Sequence, residues 1–352
     1  MDNPRPYQPS FFDESERLAA LSKLRDPLEA LAAHINFEIF REPLEQALDE
    51  RPAKGPGGRP AMDAVMMFKM LILQRLYNLS DEQVEFQVTD RLSFTRFLGL
   101  RLGDKVPDFT TLWRFRERLG RQGSERTAFD LFHEQLDAAG VLAKTGSIID
   151  ATIVEVPIQR NTRAENDLIK KGQTPPSWKD EPHKLSHKDV QARWTRQGPQ
   201  TFYGYKDHIK TDAGTTLITD YRVTPANTHD SVPAPAMINA TDAGRPLYAD
   251  AAYGSEAMDR KLRRLGVENR IQIKGRRGAP LSDQQRQHNR QKARLRVMVE
   301  HVFAYMENSM NCLYLRCIGL SRATTQIGLA NLTYNLCRYV QLVRLGRVQP
   351  VW

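Results

Sequence analysis

The chain holds 352 residues, 40% of them hydrophobic, with 51 Lys or Arg against 42 Asp or Glu, a formal charge of +9. That apolar content excludes a mainly disordered chain, the length suffices for two domains or one large domain with an appendage, and the basic balance points to a polyanionic partner, most simply nucleic acid. No apolar run approaches the roughly 18 residues of a membrane span, Met1-Asp2-Asn3-Pro4-Arg5-Pro6 does not read as a signal peptide, and Cys312, Cys317 and Cys337 match no zinc spacing and read as reduced thiols of a cytosolic protein.

Leu18, Leu21, Leu24, Leu28 and Leu31 recur at helical spacing and predict helices within 1–50. The Pro/Gly run 52–60 reads as a loop, and it lacks the Gly-Lys-Ser/Thr ending of a phosphate-binding P-loop. Met66, Met67, Phe68, Met70, Leu71, Ile72 and Leu73 predict a core helix over 62–78, and Ser80 with Gln83 is a capping box for the next. After a turn at 99–107, a helix is expected from a Thr110 or Thr111 cap to Gly120. It carries Arg114, Arg116 and Arg118, with Arg121 just beyond. Two helices with the second one basic fit a helix-turn-helix-like DNA reader, and fit a solvated charged face equally well. A last helix over 124–139 closes an all-helical N-terminal domain, residues 1–140, expected to bind DNA.

The apolar, β-branched stretch Ser147–Val154 then predicts a buried strand with Asp150 at its centre. A buried carboxylate needs a partner. Residues 159–200 mix basic residues, prolines and two tryptophans without apolar periodicity, and read as a basic inserted loop. The runs 202–210 and 215–223, joined at Asp212-Ala213-Gly214, predict a hairpin. On its first strand Lys206 and His208 alternate onto one face with Gly204, and both are candidate DNA contacts. A helix over 230–241, a short strand ending on Asp250, a helix from Ser255 to Leu265, a strand over 267–273 and a long helix over 284–307 follow. Three antiparallel strands followed by alternating helices and strands describe a ribonuclease-H-like α/β fold, a mixed sheet with helices on both faces. The expected domain spans 141–340, with a tail at 341–352. In that fold the first and fourth strands are neighbours, so Asp150 and Asp250 meet. Glu300, set among Val297, Met298, Val299, Val302 and Phe303 on the late helix, is the third candidate acid. Arg296 lies one helical turn before it, placed to orient the carboxylate, to hold a phosphate or to form a plain intrahelical pair.

These residues carry a family resemblance. Ile148-Ile149-Asp150-Ala151-Thr152, Tyr203-Gly204-Tyr205-Lys206-Asp207-His208, Val223 through Asp230, Ala249-Asp250-Ala251-Ala252-Tyr253-Gly254 and Arg296-x3-Glu300 resemble the motifs of DDE transposases of bacterial insertion sequences, in the group named for insertion sequence five. Residues 58–119 are similar to the N-terminal domain of those transposases. The related Tyr-x2-Arg-x3-Glu-x6-Lys signature is incomplete, with Ala293 and Glu307 where Tyr and Lys are expected. An all-oxygen acid set suits Mg²⁺, two ions, with Mn²⁺ substituting, held by Asp150, Asp250 and Glu300 as catalytic metal ligands. The resemblance implies binding of an element's terminal inverted repeats, cleavage of its ends and strand transfer into double-stranded target DNA. It also implies a homodimer or larger synaptic assembly, in a bacterial cytoplasm, at the nucleoid when bound. A nuclease on the same fold without strand transfer, and a DNA-binding protein with a decayed site, are the alternatives.

Overall fold

The computed structural model describes residues 13–48, 62–101, 103–275, 278 and 280–352. The proline-glycine run 52–60 lies outside them. Among the described residues eight α-helices come first: α1 (Asp13–Lys23), α2 (Pro27–His34), α3 (Arg41–Gln46), α4 (Ala64–Leu76), α5 (Asp81–Asp90), α6 (Leu92–Leu98), α7 (Phe109–Gln122) and α8 (Ser124–Ala138). α4 is apolar around its whole circumference, so it runs through the interior, with Phe68, Met70, Leu71, Ile72 and Leu73 fully buried. Ser80 and Gln83 form both hydrogen bonds of the expected capping box on α5.

α7 departs from expectation at both ends. Its cap is Asp108, whose carboxylate accepts from Thr111 N, because a short carboxylate two residues ahead of Thr110 reaches the free amides directly. It runs past Gly120 to Gly123, which turns the chain at φ +68°. Gly120 has a different task inside the helix: a Cβ there would collide with Thr325 Oγ1. The absence of a side chain lets two helices touch.

The sheet follows. β1 (Ser147–Glu155) leads into α9 (Arg163–Lys170), α10 (Pro176–Lys179), α11 (Pro182–Ser186) and β2 (Arg193–Gln197). The 159–200 segment is therefore folded rather than an unstructured loop. Trp178 is 0% exposed and donates through Nε1 to Glu165 at 2.6 Å, while buried Asp189 accepts from the Tyr205 hydroxyl and Gly319 N. One indole with its polar tip satisfied anchors the insert, which is why apolar periodicity did not reveal it. β3 (Gln200–Asp212) and β4 (Ile218–Pro225) make the expected hairpin. The helix expected over 230–241 is instead two 3-10 turns, Ala234–Met237 and Ala240–Asp242, since Pro233 and Pro235 interrupt helical hydrogen bonding. β5 (Pro246–Tyr248), α12 (Glu256–Leu265), β6 (Glu268–Asn269), α13 (Asp283–Ala304) and α14 (Leu320–Arg344) complete the chain.

Six strands form one mixed sheet in the order β2-β3-β1-β5-β6, with β4 also on β3. β1 pairs antiparallel with β3 (Asp150 opposite Ile209) and parallel with β5 (Ile148 opposite Tyr248). α14 packs on α2, α4, α7 and α8 and also on β4, so one apolar core runs from Leu28 and Phe68 through Ile148 and Ile209 to Leu342. The helical segment and the sheet thus share their interior. The last residues return to it: Trp352 stacks on Phe132 with ring centroids 5.9 Å apart, and Tyr339 accepts from Val351 N.

Candidate active site

Asp150 reaches its position by strand alternation. It shares a face with Ile148 and Thr152, and α13 packs against β1. Asp250 lies two residues past the end of β5, as Asp150 lies two residues past Ile148, the residue paired with Tyr248. The parallel pairing therefore brings the two acids forward in step. Asp250 accepts from Ala252 N at 2.7 Å and starts the short turn Ala251–Tyr253.

Arg296 ties α13 to this edge. Its guanidinium donates from Nη1 to Asp150 Oδ2 and from Nη2 to Glu300 Oε1, each at 2.9 Å. A planar fork with one arm on each of two carboxylates is a contact lysine would not reproduce. Burial pushes the Asp150 carboxyl up to about 6; Ala151 N–H and Arg296 oppose that rise, and the charges of Asp250 and Asp230 add to it. Tyr253 is buried with a hydroxyl that has no hydrogen-bond partner among the described residues, and its ionisation is suppressed first by burial, then by Asp150, Asp230 and Asp250. Asp230 acts electrostatically on both Asp150 and Tyr253, where the sequence suggested only a helix cap and a packing ring. That influence depends on the loop after β4 folding back, which no local pattern encodes.

The other sequence candidates divide sharply. His208 is opposite Ala151, and Lys206 is opposite Ile153, so both project from the face away from Asp150. His208 is 0% exposed; its Nε2 lies 2.8 Å from Thr224 Oγ1, and burial lowers its pKa to about 4. Lys206 Nζ is held by Asp230 Oδ1 at 2.7 Å and the Thr228 carbonyl. Both side chains are thus engaged within the protein. Arg116 is also withdrawn: it is buried in a two-armed pair with Asp81, at 2.5 and 2.9 Å, and also donates to Gln74. Arg114 and Arg121 are exposed, with no hydrogen bond or ion pair among the described residues, and Arg118 is half-buried.

Among the described residues, no three His, Cys, Asp or Glu side chains are gathered closely enough to hold a metal ion as they stand. Arg296 stands between Asp150 and Glu300 and supplies the positive charge there. The donors are all carboxylate oxygens, the chemistry a hard divalent cation requires.

Residues 142–336 match the family model described as transposase DDE domain, and residues 16–118 match one described as a transposase domain (DUF772). The first spans more than half the chain, and the chain belongs to this family: it is a DDE-type DNA transposase of the insertion-sequence kind, an enzyme of divalent-metal chemistry acting on DNA. A similar solved structure is the piggyBac transposase synaptic complex with hairpin DNA, 13% identical with a TM-score of 0.46, covering 92% of this chain and 77% of that one. No helix among the described residues is long and apolar enough to cross a membrane.

Proposed function

We propose that the chain is the transposase of an element in the group named for insertion sequence five, that it binds the element's terminal inverted repeats, and that it cuts and joins DNA at Asp150, Asp250 and Glu300. The observation that carries this is the parallel β1–β5 pairing, which sets Asp150 and Asp250 in step, together with Arg296 of α13, which bridges Asp150 and Glu300. The sheet, antiparallel across β4-β3-β1 and parallel across β1-β5-β6, supports a ribonuclease-H-like reading of residues 141–340.

The three carboxylates would hold two Mg²⁺ ions, with Mn²⁺ substituting. When bound, such ions supply activation of an attacking oxygen and stabilisation of the leaving oxygen in an in-line displacement. Arg296 holds the site together beforehand, offsetting the charge of Asp150 and Glu300 and pinning α13 to β1. Admitting a cation therefore requires its fork to release at least one carboxylate. The freed guanidinium is then available to a DNA phosphate. On α7, Arg114, Arg118 and Arg121 recur at i, i+4 and i+7, one stripe of the helical part spanning residues 1–140, and we assign DNA positioning to that stripe. Joining two ends calls for a dimer or larger assembly.

The test is incubation of the protein and Mg²⁺ with a pre-cleaved element end and supercoiled plasmid. Joined products are expected from the wild type and none from Asp250→Asn or Glu300→Gln, with end binding retained in both. Nicking without joining would replace the transfer reading with a nuclease, and joining by either variant would remove that residue from the site.

A further inference from the structure

A second charged cleft lies between the N-terminal helices and the segment that follows α13. It is about 310 Å³, at the lower limit of small-ligand clefts, and is lined by residues of α4, α5 and α7 and by Tyr314, Arg316 and Arg322. Four arginines line it against two carboxylates, and each carboxylate is already taken: Asp81 by Arg116 and Glu117 by Arg322. Arg75 and Arg316 are left over. Arg75 is only 6% exposed; it donates from Nη1 to Gln326 at 3.0 Å, its Nε has no partner, and no carboxylate is within ion-pair distance among the described residues. A guanidinium buried without a counter-charge is costly unless an anion completes it. Two aromatic side chains at the same cleft, Trp113 and Tyr314, are each 42% exposed, so their faces can be reached from it.

We propose that this cleft takes one unpaired nucleotide of the bound DNA, its phosphate on Arg75 and Arg316 and its base on Trp113 or Tyr314. The site is too narrow for a duplex, and in a duplex the base faces are stacked on one another and unavailable to the rings. The position suits a strand leaving the acid cluster. Tyr314 bridges to Glu155, at the far end of β1 from Ser147. Glu155 is five residues beyond Asp150, roughly 16 Å at the 3.3 Å rise of a strand. A few unpaired nucleotides span that distance.

The inference rests on the chain's action on DNA, and the experiment separates the two. The full-length protein is titrated with a blunt duplex and with the same duplex carrying a short 5′ or 3′ single-stranded extension, following Trp fluorescence and anisotropy across a salt series. The wild type is expected to bind one extended form about tenfold more tightly than the blunt form. Trp113→Ala and Arg316→Ala, both at exposed positions, should each cancel most of that preference while leaving blunt binding within about twofold. Arg75→Met should do the same and lower the salt slope by about one. Equal wild-type affinity for blunt and extended DNA overturns the proposal, as does full preference in Trp113→Ala and Arg316→Ala. Failure of the wild type to bind any DNA would instead overturn the reading on which it rests.

Discussion

Asp150→Asn should inactivate the protein and at the same time stabilise it. Asp150 has only 18% of its side chain exposed, and burial raises its carboxyl from 3.8 to about 6. A group whose folded pKa lies above its unfolded value favours folding below the unfolded pKa, and that contribution is lost as pH rises through the folded one. Between about pH 4 and 6 the wild type therefore loses stability that the non-titrating asparagine keeps. The difference of about two pKa units corresponds to about 3 kcal/mol at pH 8. Asparagine preserves the shape of the side chain, and Arg296 still pairs with Glu300. The assay is a set of thermal melts from pH 4 to 8.5 in EDTA, run beside the end-joining reaction. The variant should melt several degrees above wild type at pH 8, converge with it near pH 4, and lose about 10³-fold or more of its joining activity, since a metal site contributes several kcal/mol to the transition state. A variant that melts below wild type by the same amount at every pH would refute the reasoning, because Asp150 would then be a structural ion-pair partner rather than a strained acid kept for chemistry.

Glu125 offers an independent pH test away from the acid cluster. It is buried, Oε2 has no hydrogen-bond partner among the described residues, and burial raises its pKa to about 7, so its ionisation removes stability as pH climbs from about 4.5 to 7. Glu125→Gln should gain about 1–2 kcal/mol at pH 8 in urea unfolding and nothing at pH 4, within the ceiling of about 3 kcal/mol set by the shift. Gly120→Ala, which in a free helix would stabilise by about 1 kcal/mol, should instead cost about 1–2 kcal/mol through overpacking against Thr325, read in the same unfolding experiment. Replacing both Arg114 and Arg121 with Gln should weaken binding to an element end and reduce the slope of log affinity against log salt by up to about two; an unchanged slope would remove α7 from the DNA interface. Chelation of divalent ions should stop joining while end binding, followed by anisotropy, persists.

Much of this molecule was legible in the residues themselves. The apolar helix α4, the capping box at Ser80, the β3–β4 hairpin and the strand around Asp150 each declare themselves through periodicity or turn chemistry that acts over a few residues. The order Asp150, Asp250, Glu300, with the motifs around them, was enough to point to the transposase family. What local pattern could not decide is which side chains are already spent. Arg116 looks like a DNA contact in its helix, but Asp81, 35 residues away, claims it. His208 looks accessible until the register with β1 turns it inward. The insert is held as a folded unit by contacts such as Trp178 to Glu165 and Tyr205 to Asp189. The same holds at the two sites that matter most. Sequence placed an acid at position 150, but only the packing of α13 across β1 put the fork of Arg296 on it. Nothing in the order of residues predicted that Arg75 would be buried beside Gln326 with no carboxylate in ion-pair contact among the described residues. Periodicity reports the burial of a face, whereas the pairing of charges is settled by contacts between residues far apart in the chain.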